Sequence, residues 1–353
     1  MRSLLRMASL ASVALAATFT TLVAQRAAAP AAARTQADVT ARIVTAAQAV
    51  LSALDDAGRA KMQFPFDSPQ KTKWSNLPSP MFQRNGARLA DLTAPQRAAV
   101  MNLLSVALSR DGYRKVLDIM HGDEVLREGQ GSGGRGGARA GGPMFGEDQY
   151  YLAFLGTPST TAPWILQFGG HHLAINLTLA GSEATMAPSL PAAQPASYTV
   201  EGRTVRPLGD ENDKAFALIN ALDEGQRSQA VLNYRVADLV LGAGQDGRTI
   251  QPEGMRASAM SAAQQTMLWD VVREWAGIMN DAFAEPRMAE IRANVRDTYF
   301  AWSGPTTNGS AAYFRVQGPT LVIEYAPQGG SVDHIHTIYR DPTNDYGAKF
   351  ARK

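Results

Sequence analysis

Five histidines occur in the 353-residue chain, and four of them fall in two tight groups, His171-His172 and His334-Ile335-His336. Both groups lie in strand-like sequence. Residues two apart on a strand point the same way, so His334 and His336 present two imidazoles to one side, where they can share a divalent metal ion. In the run from Leu173 to Leu179, Leu173, Ile175, Leu177 and Leu179 share an apolar face. Ala174, Asn176 and Thr178 share a polar one. His171 is in phase with the first face and His172 with the second. Alternation therefore predicts that His172 faces His334 and His336, with His171 as a substitute or second ligand. Gly169-Gly170, just before, would let a backbone or a ligand come close.

Further candidates follow the second group, in Arg340-Asp341-Pro342-Thr343-Asn344-Asp345. Asp341 or Asp345 could orient an imidazole N–H, ligate, or act as general base. Arg340 could stabilise developing negative charge. Three histidines with a carboxylate and no cysteine suit zinc first, with copper, iron or manganese also accommodated, and suit calcium less. HxH by itself is a weak signal. Paired with His-His in a chain otherwise nearly free of histidine it is stronger. The plain alternative makes these residues hydrogen-bonding members of the core.

Other motifs carry less. His121 and Glu124 are three apart on an expected helix and read as a solvated face. No GxSxG elbow is present. Residues 128–146 are dominated by Gly with Arg, Ser and Ala; without a GK[ST] motif or a preceding strand they read as a mobile surface loop and not a phosphate cradle. Trp74, Trp164 and Trp302 read as core or pocket walls, and Arg84 and Arg88 as structural donors or anion contacts.

The N-terminus has the layout of a secretory signal peptide over residues 1–33: Arg2 and Arg6, an uncharged apolar run over 10–23, then small-residue cleavage sites. Losing Arg2, Arg6 and Arg26 leaves 31 Lys+Arg against 32 Asp+Glu, so the formal charge moves from +2 to −1. A near-neutral mature chain argues against nucleic acid or an anionic membrane as partner. With no cysteine there is no disulfide, thiolate ligand or Cys nucleophile. A bacterial periplasm or exterior fits, with no integral membrane segment once the signal is removed.

Apolar spacing predicts helices over 37–61, 93–108, 113–127, 210–222, 225–234, 258–283 and 287–296. The chain also echoes itself. Tyr151-Leu-Ala-Phe154-Leu-Gly156, Trp164 and Leu173-Ala-Ile175 are matched by Tyr299-Phe-Ala-Trp302-Ser-Gly304, Tyr313 and Leu321-Val-Ile323. The helix start Leu92-x-x-x-Gln96 recurs as Leu222-x-x-x-Gln226 and Met260-x-x-x-Gln264. A helical segment followed by an antiparallel meander, used twice, gives the expected fold: α+β, one domain over 34–353.

Trp74-Ser-Asn-Leu-Pro78, Arg84-Asn-Gly86, Tyr151 through Ser159, Trp164, Gly170-His-His-Leu-Ala-Ile-Asn-Leu-Thr178 and Asp333-His-Ile-His336 through Gly347 resemble a bacterial family catalogued as a domain of unknown function, number 3500. The resemblance spans nearly the whole mature chain. It implies that both histidine groups and the Arg-Asp-Pro segment belong to one unit, and it assigns no activity.

The leading expectation is an exported metal-dependent enzyme, a hydrolase using metal-bound water on a small-molecule substrate. A redox enzyme with copper or iron would use the same ligands. A non-catalytic periplasmic ligand-binding or scaffold protein is the alternative from a different class.

Overall fold

The computed structural model describes residues 35–132 and 143–352. The expected signal segment 1–33 and most of the Gly-rich stretch lie outside the described residues. Arg34–Lys353 form one compact unit.

Its N-terminal half contains α1 (Gln36–Ser52), α2 (Asp56–Met62), β1 (Gln63–Phe64), β2 (Ala87–Arg88), α3 (Ala94–Ala107), α4 (Arg110–Ser132), β3 (Tyr151–Leu155), β4 (Trp164–Gly169), β5 (Leu173–Ala180), β6 (Glu183–Thr185) and β7 (Leu190–Ala193). A hairpin, β8 (Tyr198–Val200) and β9 (Arg203–Val205), follows. The C-terminal half contains α5 (Gly209–Ala221), α6 (Glu224–Ala230), β10 (Met255–Arg256), α7 (Ala262–Ala276), α8 (Asp281–Ala293), β11 (Tyr299–Ser303), β12 (Tyr313–Gly318), β13 (Leu321–Pro327) and β14 (Ile335–Arg340).

The fold is α+β, with one large, mainly antiparallel sheet ordered β1-β3-β4-β5-β7-β14-β13-β12-β11-β10. Each half is helices followed by a meander, and equivalent residues make equivalent contacts. Gln96 Nε2 donates to the Ala53 carbonyl at 2.9 Å, and Gln264 Nε2 to the Ala221 carbonyl at 2.8 Å. Gln63–Phe64 pair in parallel with β3, and Val231 bridges in parallel to Trp302 on β11. The three recurring helix starts are all capping boxes: Thr93 with Gln96, Asp223 with Gln226, and Ser261 with Gln264.

Where the helices depart from the periodic reading, a cap or a pairing intervenes. The 37–61 helix is two helices, because the Asp55 side chain accepts from the Gly58 amide and starts a new one. The 258–283 helix stops at Ala276 and α8 starts at Asp281, capped by Asn280. Residues 278–280 leave the helix to pair with the other half, through Ser109 N to Ile278 O at 3.0 Å and Asn280 N to Ala107 O at 3.1 Å. α6 ends at Ala230, freeing Leu232 N to donate to Trp302 O at 2.7 Å. α4 is longer than expected at both ends and takes up 128–132 of the supposed loop.

Two apolar clusters lie between helices and sheet, one per half, and a third (Trp74, Leu155, Ile165, Ala174, Leu190, Ala192, Ile338, Tyr346) covers the opposite face. Both faces of β5 are thus buried. Asn176 and Thr178, expected on a polar face, are fully enclosed. Asn176 is satisfied inside, accepting from Gln167 Nε2 and donating to the Pro188 carbonyl, both at 2.8 Å. Among the described residues no helix is long and apolar enough to cross a membrane.

Gly86 and Gly254, equivalent positions of the two halves, have φ of +88° and +91°, and a Cβ there would lie 1.9 Å from the Leu152 carbonyl oxygen and 2.2 Å from that of Phe300. Gly86→Ala and Gly254→Ala are each expected to lower stability to urea by about 2 kcal/mol or more. Gly309→Ala, at φ +81° with open space around it, should cost only about 1 kcal/mol.

Candidate metal centre

The start of β5, the end of β7 and the start of β14 meet at one end of the sheet, because β7 runs antiparallel to both neighbours. There the turn after β4 delivers His171 and His172, and the main chain delivers His334 and His336. The His172 carbonyl accepts from Ala192 N at 2.8 Å, fixing the turn to β7. Gly170 is required beside it: a Cβ would lie 2.7 Å from the Tyr150 ring. Tyr150 can therefore close in and reach Asp123 Oδ2 with its hydroxyl, at 2.8 Å. Arg84 clamps the same turn, donating to the carbonyls of Ser75, Leu77 and Gly170 at 2.7, 2.6 and 2.5 Å. Burial lowers its pKa to about 10. Those main-chain contacts make Arg84 a structural donor.

The structure brings His172, His334 and His336 together. His334 Nε2 lies 3.2 Å from His172 Nε2 and 3.1 Å from His336 Nε2. His172 Nδ1 is 2.9 Å from Asp123 Oδ1, and His336 Nδ1 is 3.2 Å from Asp238 Oδ1. The Asn76 amide sits beside His336, 3.5 and 3.3 Å from its two nitrogens. His171 stands outside the converging trio: its Nδ1 is 3.0 Å from the same Asp123 oxygen, and its ring lies against those of His172 and Phe145.

Burial lowers the His172 pKa to about 3, and burial with the neighbouring His336 lowers that of His334 to about 4. Both rings are therefore neutral at pH 7. Burial alone would raise the Asp123 carboxyl, but the hydrogen bonds with His171 and His172 outweigh it and hold it well below the usual range. Burial likewise opposes, and the bonds from His336 and the Leu239 amide outweigh, at Asp238, whose carboxyl is also lowered. Two carboxylates thus stand at the Nδ1 atoms of His172 and His336, and the Nε2 atoms of both rings are turned toward His334. His334 Nε2 can offer a proton to only one of these two atoms, and Asn76 Nδ2 stands 3.3 Å from His336 Nε2 beside it. A cation at the focus satisfies all three. Tetrahedral Zn–N bonds of about 2.0–2.1 Å would put the nitrogens about 3.3 Å apart, close to the separations found. His172, His334 and His336 could hold a metal ion, and so could Asp123, His171 and His172.

Asp341, Asp345 and Arg340 are engaged elsewhere. Arg340 shares the His336 face of β14, but four residues of strand carry it about 13 Å along. It donates to the Leu241 and Gly242 carbonyls and pairs with Asp345 at 2.8 Å. Burial raises Asp345 to about 6. Asp341 pairs with Arg287 at 3.2 Å and accepts from Thr343. The carboxylates that orient histidines are Asp123 and Asp238, which sequence reasoning missed. Asp123 was within reach: it lies two residues after His121 on a helix already expected, but nothing local said that it faces inward. Asp238 sits in an irregular segment without periodic signal.

A family model described as Protein of unknown function (DUF3500) matches residues 36–348. The chain belongs to the DUF3500 family. No curated protein and no solved structure gives a significant match. In this DUF3500 chain the duplication does not repeat the site. The residue before β13, equivalent to His172 before β5, is Thr320, and its partner from the packed helix is Arg287 at 3.3 Å in place of Asp123.

Asp123→Asn and Asp238→Asn should each weaken zinc binding by about 10- to 100-fold in a competition titration. Asp341→Asn should leave zinc affinity unchanged and lower the melting temperature instead, since it strips the partner from buried Arg287.

Proposed function

We propose that the protein is a metal-dependent enzyme whose ion is held by His172, His334 and His336, with hydrolysis as the reaction class. The reading rests on one observation: three Nε2 atoms converge while carboxylates hold the outward nitrogens of two of the rings. Three neutral ligands leave the full charge of a divalent ion in place, and a fourth tetrahedral position open. Such an ion is a strong Lewis acid that lowers the pKa of a bound water toward 7. His334 is half-buried where the other two are buried, so the open position faces the accessible side. Zinc is the first choice on ligand type. The signal-like N-terminus supports an extracytoplasmic setting.

Elemental analysis of the purified chain should find about one ion per molecule, and none in a His334→Ala/His336→Ala double variant. Zinc at a hundredfold excess over its Kd should stabilise the metal-free wild type by about 2.7 kcal/mol and leave the double variant and His334→Ala unmoved. Absence of both effects overturns the metal reading. Turnover of activated esters that is lost to chelator and restored by zinc would support hydrolysis; turnover restored only by copper or iron would replace it with redox chemistry.

A further inference from the structure

α4 carries Asp123 on the side facing the histidines. At 100° per residue, His121, two positions earlier, faces away. On that side a cleft of about 710 Å³ lies between α3, α4 and the β8–β9 hairpin. Its floor is apolar, formed by Met101, Leu117, Met120, Tyr198, Val200 and Val205. Leu117 is 37% exposed there, one of few large apolar side chains left open on the surface among the described residues. The hairpin is pinned over the helix by Tyr198, whose hydroxyl donates to the Asp118 carbonyl at 2.7 Å and whose ring packs on His121.

The charges of the cleft fall into two sets. Some are spent: Arg97 donates to the Leu89 and Leu92 carbonyls, His121 lies 2.5 Å from Glu147, and Asp148 accepts from the Gln149 amide. Asp118, Arg203 and Arg114 are not. The half-buried Asp118 carboxylate has no hydrogen-bond partner among the described residues, and burial raises its pKa against the charges of Arg114, His121 and Arg203. The Arg203 guanidinium is exposed and likewise has no bonded partner among them. Arg114 has only a 3.4 Å contact to Asp111. One under-satisfied anion and two under-used cations therefore border one apolar floor.

We propose that this cleft binds a zwitterion with an apolar body, a short apolar peptide or α-amino acid, with its ammonium on Asp118, its carboxylate on Arg203 and Arg114, and its side chains on Met101, Leu117 and Tyr198. The volume falls in the range of small-molecule sites, and the pattern of an apolar pocket with a few convergent polar groups is theirs. A simple anion would meet Asp118, and a simple cation would meet the two arginines. Only a ligand carrying both charges satisfies both sides. The site is independent of the metal reading.

Calorimetric titration of the full chain with leucyl-phenylalanine, its N-acetyl form and its C-terminal amide tests this. The free dipeptide should bind, and each blocked form about tenfold or more weakly. Asp118→Asn should erase the difference between free and acetylated peptide, and Arg203→Gln should shrink that between free and amidated peptide. Leu117→Asp should weaken all three, and His334→Ala should change none. Arg203 is exposed and the Asp118 side chain makes no hydrogen bond within the described residues, so neither change removes a bonded contact and the melting temperatures should stay near wild type. Equal binding of the three peptides, no binding up to about 10 mM, or unchanged selectivity in Asp118→Asn would each overturn the proposal.

Discussion

Four residues, Leu190–Ala193, hold the two halves in one sheet. β7 has two registered pairs with β5 and two with β14, extended by the reciprocal bonds between Ser189 and Tyr339 at 2.9 and 2.8 Å. So short a seam must be pinned in register, because a slip of one residue would turn every side chain of β14 to the other face. Thr337 does the pinning. Its hydroxyl donates to the Pro191 carbonyl at 2.6 Å and accepts from Trp275 Nε1 at 2.9 Å. With Thr337 held toward the helices, His336 must face the opposite way, toward His172 and Asp238. The histidine cluster therefore inherits its geometry from main-chain pairing between halves.

Charge then gives the duplicated frame its asymmetry. In the N-terminal half the helix packed on the seam offers Asp123, enclosed by donors from His171, His172 and Tyr150. In the C-terminal half the corresponding helix offers Arg287, enclosed by Tyr339, Thr320 and Asp341. A buried charge is tolerated only with its full set of partners, so each half has built a different set. The carboxylate selects imidazoles and leaves their far nitrogens free to converge. The guanidinium selects a phenol and a carboxylate and leaves nothing over. Asp341, which looked like a histidine partner from its place in the chain, is instead the counter-ion of Arg287.

A second contact between halves lies on the helical side, where Lys115 on α4 bridges Glu211 on α5 and Glu274 on α7 at 2.5 and 2.9 Å. Burial, with the charge of Glu274 adding, raises Glu211 to about 7. Together with the 107–109 to 278–280 pairing, this leaves the sheet and the helices closed across the same boundary, with the histidines at its sheet end.

The sequence by itself determined the parts that depend on neighbours in the chain. Period-2 alternation put His334 and His336 on one side and selected His172 over His171. The recurring Leu/Met-x-x-x-Gln pattern marked the starts of α3, α6 and α7, and the echo of Tyr151–Gly156 in Tyr299–Gly304 announced the repeated meander. Local pattern can do this because strand phase and helix caps are set within a few residues. Only the tertiary structure decided which carboxylates serve the histidines. Asp123 approaches from a helix and Asp238 from an irregular segment, and no spacing rule connects either to a histidine far along the chain. It also decided that Arg340, in phase with His336, is out of reach, since phase fixes a face and not a distance. The polar face of β5 was misread for the same reason: alternation tells which residues share a side, and only packing tells whether that side meets water.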